Sequence, residues 1–161
     1  MLADFFKWLE QTTPARTISE SGWLFPTIET LHVLALTLLI GSIAMVDLRL
    51  INVALRKRDV AELSDEVLPW TWCAFVVAAL TGFSLFASAA TKYAANVAMQ
   101  IKFVLLMLAA INMLTFNLTL HRSIKTWGRD PKTPLGAQIA GGLSLILWIG
   151  VMVSGRWIGF L

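Results

Sequence analysis

The chain has 161 residues, 57% of them hydrophobic and only 14% charged, with a net charge of +3. Soluble domains carry about 25% charged residues, so this composition indicates an integral membrane protein, and its length suits one bundle of helices. Nucleic-acid binding is excluded because the basic residues fall between apolar runs and form no long patch; the lone Cys73 excludes an intrachain disulfide or a cysteine metal cluster.

Residues 2–11 are expected to form a short amphipathic helix. Leu2, Phe5, Phe6 and Leu9 share one face, Asp4, Lys7 and Glu10 lie off it, and Trp8 suits an interface anchor. The segment is too short to span, so it is expected to lie on the membrane surface. It has no charged leader running into an apolar core, so no cleavable signal peptide is expected. Thr12-Thr13-Pro14 is expected to break it, and residues 15–25 to connect it to the first span. Pro26 suits the first turn of that span, where its missing N–H costs nothing.

Spanning helices are expected at about 27–55, 69–90, 97–120 and 136–160. Residues 59–68 read as a charged loop with helical character, Pro69 as the start of the second span, and Trp70 and Trp72 as interfacial anchors. Residues 91–96 read as a turn. Gly41 and Ser42 in the first span, and Gly155 and Gly159 in the fourth, supply small residues for close helix contact. The expected fold is therefore an all-α membrane protein, a four-transmembrane-helix bundle with a short N-terminal amphipathic interfacial helix.

Four spans put both termini on one side. The segments after the first and third spans hold eight basic residues: Arg49, Arg56, Lys57, Arg58, Arg122, Lys125, Arg129 and Lys132. The other side holds five, Lys7, Arg16, Lys92, Lys102 and Arg156. The positive-inside rule then puts both termini outside, in the periplasm of a bacterial inner membrane.

Ionisable groups inside a membrane are costly and face the bundle interior. At the outer level the sequence brings Glu29, His32, Gln100, Lys102 and Arg156 to similar depth, with Tyr93, Met99, Met152 and Trp157 nearby. Glu29 and His32 share a helix face. Three ligand chemistries fit the cluster. His32 could ligate a haem b, with Met99 or Met152 opposite or with one axial ligand alone, because His121 sits at the other membrane face. Glu29 and His32 could bind a metal, although the di-metal bundles that use this spacing carry it twice. His32 with Lys102 or Arg156 could hold a quinone or a small anion. The plainer reading is a polar network between helices, with Lys102 and Arg156 snorkelling to water.

Glu29 and Asp47 are eighteen residues apart, five helical turns or roughly 27 Å at ~1.5 Å per residue. At the inner level Asp47, Asn52, Asn117, His121 and Arg122 are expected to form a second polar layer. Asp47 and Arg49 do not face each other at a spacing of two, so Asp47 is expected to tie to Arg122. His121 reads as an ordinary interfacial histidine, Cys73 as a packing residue and Asn112 as a helix–helix hydrogen bond. No phosphate loop, Ser/His/Asp arrangement, CxxC, HExxH or CxxCH motif is present, and no broken inverted repeat.

The run Trp23-Leu24-Phe25-Pro26-x-x-Glu29-x-x-His32, then Gly41-Ser42-Ile43-Ala44-x-x-Asp47-Leu48-Arg49-Leu50, with Leu68-Pro69-Trp70-Thr71-Trp72, Ile101-Lys102 and Gly155-Arg156-Trp157-Ile158, resembles an uncharacterised family of small four-helix bacterial inner-membrane proteins. A looser likeness is to copper-resistance and haem-binding four-helix membrane proteins. The resemblance implies four transmembrane helices and no assigned activity. It also implies a histidine where this chain has Asn117.

The expectation is a non-enzymatic membrane subunit with an outer polar pocket around Glu29 and His32, serving a periplasmic redox partner as a haem or quinone holder or as an anchor. The rival expectations are a homo-oligomeric transporter for a metal ion or small solute, and a ligand-free scaffold.

Overall fold

A computed structural model describes residues 1–119 and 124–160; the roles expected of His121 and Arg122 lie outside the described residues. The helices are α1 (Leu2–Glu10), α2 (Thr13–Glu20), α3 (Leu24–Leu50), α4 (Val60–Ser88), α5 (Ala90–Ala95), α6 (Val97–Thr119), α7 (Ile124–Trp127) and α8 (Leu135–Trp157). Helices α3, α4, α6 and α8 are long and apolar enough to cross a membrane. Each turns large apolar side chains outward, among them Leu34, Leu80, Met107 and Ile146. That surface suits lipid, which leaves helix association to small residues and polar ties.

Several boundaries differ from the sequence expectation, each for a local reason. Pro14 does not end helical structure but sits in the first turn of α2, where proline is tolerated. The first span stops at Leu50 rather than Leu55, because Asn52 and Leu55 adopt φ angles of 58° and 55°. That left-handed geometry suits Asn but strains Leu. The second span begins at Val60, where Asp59 caps it by accepting the Ala61 N–H at 2.7 Å. Pro69 therefore lies inside α4, at the loss of one backbone bond. With 29 residues, α4 is roughly 44 Å long and outruns a ~30 Å hydrocarbon core. Its charged first turns, with Glu62, Asp65 and Glu66, are the part that can project into water. The expected turn at 91–96 is helix α5.

The spans associate as two antiparallel pairs, α3 with α4 and α6 with α8, joined along α3 and α8. Helices α4 and α6 have no Cα atoms within 8 Å of each other; they meet through Phe86 and Phe103, with ring centroids 5.9 Å apart. The bundle is thus open on its α4–α6 side. Ala74, Ala78 and Gly82 recur every fourth residue on α4, the spacing that keeps small residues on one face. The two alanines are buried, and Thr71 and Ser42 join α4 to α3 through hydroxyls 2.9 Å apart. Between α6 and α8, Asn112 Nδ2 donates to the Ala140 carbonyl at 3.0 Å.

The two ends of the bundle are built differently. At the terminal end, Leu9, Ala15, Ala87 and Ala90 form a small core with Phe6 and Phe86 against it. The Thr91 N–H donates to Glu10 Oε1 at 2.7 Å, fastening α1 to α5. Asn96 Nδ2 donates to the Ile158 carbonyl at 3.3 Å, tying the start of α6 to the end of α8.

At the other end, Leu50, Val60, Ile124, Trp127 and Ala137 form a second core, and Arg49 binds the two connecting loops together. Its side chain is fully buried. Nε donates to the Arg58 carbonyl at 2.8 Å, and Nη2 to the Gly128 and Asp130 carbonyls at 3.2 and 2.9 Å. Asn52 extends the seam, donating Nδ2 to Thr133 Oγ1 at 3.0 Å. Arg129 pairs with Asp59 at 3.0 Å across the same two loops.

Burial alone would push the Asp59 carboxyl up, but the Ala61 N–H, the Arg129 guanidinium and the Glu62 N–H together hold it below the usual carboxylate range. Its contribution to stability is therefore present above the ordinary carboxylate pKa and is lost as pH falls through the lowered one. Amide protection factors at residues 51–60 and 128–133, corrected for intrinsic exchange, are expected to fall on acidification through and below the ordinary carboxylate range. Asp59→Asn is expected to show the lower protection at neutral pH and to lose most of the acid dependence.

Candidate functional site

His32 leaves α3 on the side that packs against α4. Its Nδ1 lies 3.0 Å from Thr81 Oγ1, and the ring also bonds the Ala78 backbone. The Thr81 hydroxyl already donates to the Val77 carbonyl at 2.6 Å. The Thr81–His32 bond ties α4 to α3 at this level, with the donor set by the ring tautomer.

Gly82 makes room for the ring. A Cβ built there would stand 2.8 Å from His32 Cε1 and 3.6 Å from Nε2. The Cε1 edge of the ring thus faces Gly82 across the α3–α4 contact. Gly82→Ala is expected to destabilise the protein by about 1–3 kcal/mol, the usual cost of overpacking. In a His32→Ala background the same change is expected to cost little, because the two positions contact each other. A double-mutant cycle on thermal unfolding measures the coupling.

Lys102 runs along α8 where Gly155 leaves the backbone bare, its Nζ 3.4 Å from the position of a Cβ there. It has no hydrogen bond or ion pair among the described residues, and it stands within Coulombic reach of His32. Those two groups are brought together. Glu29 and Arg156 are not part of that pair. Glu29 is exposed and forms no ion pair among the described residues, though its charge reaches Tyr93. Arg156 lies over the Phe160 ring, 5.2 Å from its centroid. Matching depth on separate helices did not fix their rotation. Met152 and Trp157 are also exposed.

Sequence reasoning missed a cavity at this level. Phe6, Phe86, Tyr93, Met99, Gln100 and Phe103 line a space of about 170 Å³, comparable to a ~150 Å³ cavity that takes up one benzene. Phe86 makes three of its ring contacts, with Phe6, Tyr93 and Phe103. The polar rim is Tyr93 and Gln100. Burial, with the Glu29 charge added, pushes the Tyr93 phenol up, so it remains a hydrogen-bond donor at neutral pH. The phenol has no hydrogen bond among the described residues. Lys102 sits three residues from the cavity-lining Met99, on the adjacent stripe of α6. The signal in sequence was the aromatic set Phe6, Phe86, Tyr93 and Phe103, but its members are spread over four helices.

At the opposite end Asp47 is buried against α8. It bonds Ser144, and its Oδ2 has no partner among the described residues. The expected tie to Arg122 falls outside the described residues. Asn117 bonds the Met113 carbonyl of its own helix at 3.0 Å. Among the described residues no group of three or more His, Cys, Asp or Glu side chains is arranged to hold a metal ion.

No curated protein and no solved structure matches the chain, so the looser likeness to copper-resistance and haem-binding proteins gains no support there. Residues 5–161 match a family described as being of unknown function, DUF6644, and the chain, with its four candidate spans, belongs to that family.

Proposed function

We propose that this protein is a non-enzymatic inner-membrane subunit that binds a quinone-class head group at its terminal end, with both termini in the periplasm, and presents it to a periplasmic redox partner. One observation carries the reading: the aromatic-walled cavity is rimmed by the Tyr93 phenol, a donor with no hydrogen bond among the described residues, and by the Gln100 amide, with Lys102 on the neighbouring stripe of α6. A quinone is a planar ring with two carbonyl acceptors. Phe86 and Phe103 supply ring faces and edges for it, while Tyr93, Gln100 and Lys102 supply donors for its oxygens. The open α4–α6 side gives a lipid-dissolved ligand lateral access. The volume suits one ring, with an isoprenoid tail left in the lipid.

His32 acts indirectly in this reading. Held by Thr81, it lines the interior near Lys102 and supplies a polar neighbour. The basic loops face the cytoplasm, as the positive-inside rule requires. Titration of the detergent-solubilised protein with a short-chain ubiquinone, followed by equilibrium dialysis, tests the proposal. Lys102→Met and Tyr93→Phe are each expected to weaken binding about 2–12-fold, the effect of one hydrogen bond at about 0.5–1.5 kcal/mol. Saturable binding that neither change affects would contradict the assignment, and an absence of binding would favour the ligand-free scaffold.

A further inference from the structure

We infer that the loop end of the bundle carries a specific site for the phosphate of an anionic phospholipid, formed by Arg56 and Lys132 between the α3–α4 and α7–α8 loops. A second and larger cavity, about 420 Å³, lies there, lined by Ile51, Asn52, Val53, Arg56, Pro131, Lys132 and Gln138.

Its walls are fixed before any ligand arrives. Arg49 joins the two loops from beneath through the Arg58, Gly128 and Asp130 carbonyls. Asn52 closes them from the side, donating to Thr133 Oγ1 and accepting the Thr133 N–H at 3.3 Å. Gln138 Nε2 donates to the Thr133 carbonyl at 2.8 Å, holding the first turn of α8 to the same loop.

The two cations are placed on this frame but are not neutralised by it. Arg56 is oriented by its Nε bond to the Asn52 carbonyl. Its Nη atoms and the Lys132 ammonium have no acceptor among the described residues. Of the neighbouring charged groups, Arg58 is engaged with Glu66 at 2.6 Å and Arg129 with Asp59 at 3.0 Å, while Lys57 and Asp130 form no ion pair among the described residues. The cavity also sits at the edge of the apolar surface. Val53, which lines it, is 66% exposed, and Leu135, in the first turn of α8, is 70% exposed. A phosphate between Arg56 and Lys132 would therefore lie next to apolar side chains positioned for acyl chains. A basic pocket between membrane helices on the cytoplasmic side is the arrangement that recognises anionic head groups. Apolar flanks favour a lipid over free phosphate.

Native mass spectrometry of the full-length protein, titrated with phosphatidylglycerol or phosphatidylcholine, tests this directly. The expected result is preferential retention of phosphatidylglycerol by the wild type. The Arg56→Gln, Lys132→Gln double variant should weaken it by roughly 30-fold, at ~1 kcal/mol per cation. Lys7→Gln, at the opposite end, should leave retention unchanged. Thermal unfolding of the double variant without lipid confirms that the frame is intact, since neither side chain is part of the Arg49 seam. Equal retention of the two lipids, or equal retention by wild type and double variant, would overturn the inference. Displacement of phosphatidylglycerol by millimolar inorganic phosphate would also overturn it, by assigning the site to a free anion.

Discussion

Arg49→Ala is expected to cost several kcal/mol of stability, because it removes three charge-assisted hydrogen bonds worth about 1.5–3 kcal/mol each. The guanidinium is completely buried and donates to the carbonyls of Arg58, Gly128 and Asp130. Truncation leaves one buried and two partly buried acceptors without their donor, and stranding a buried polar group costs about 1–3 kcal/mol. Arg49→Lys is expected to recover only part of the loss, because an ammonium cannot span the loops with the fixed fork of a guanidinium. Limited proteolysis provides the local measurement: new cleavage should appear between residues 51 and 59 and between 128 and 133 before the spans unfold. Circular dichroism on heating provides the global one.

Gly141→Ala is the second large effect, expected at about 1–3 kcal/mol from overpacking, with Gly141→Leu larger. Gly141 is buried on α8, and a Cβ there would stand 2.9 Å from Leu50 Cβ and 3.1 Å from the Asp47 carbonyl. One neighbour is main chain and the other is fixed at its root, so neither can swing aside as a flexible side-chain tip would. The position matters because α3 and α8 form the seam between the two helix pairs. Gly41→Ala, where a Cβ would meet nothing within 4 Å, is expected to change stability by less than ~0.5 kcal/mol. Comparing the three variants by thermal unfolding separates loss of the seam from a general effect of adding methyl groups.

Hydropathy makes the four spans legible, since a membrane helix announces itself by apolar length. Boundaries are less legible where a signal has two meanings. Pro14 and Pro69 are helix-start residues as readily as breakers, and Asp59 caps a helix that begins well before the apolar stretch. Sequence locates polar residues in depth but not in rotation. Glu29, Lys102 and Arg156 share one level by their places along their helices, yet only Lys102 lies within Coulombic reach of His32. Arg49 counts in the sequence as one cation of a basic edge, because its three shortest bonds go to backbone carbonyls, which leave no trace in residue identity. The room for His32 is set by Gly82 on the neighbouring helix, and no motif links the two positions. The readable sign was the fourfold spacing of Ala74, Ala78 and Gly82 on α4, which marks the face that a partner helix can approach closely.

Photolabelling with an azido-quinone in proteoliposomes tests the proposed binding subunit most directly. Label competed by excess unlabelled quinone is expected on the Phe86–Phe103 segment, around Tyr93, and to fall in Lys102→Met. Uncompeted label spread evenly over the lipid-facing residues of all four spans would contradict a quinone site at this end of the bundle.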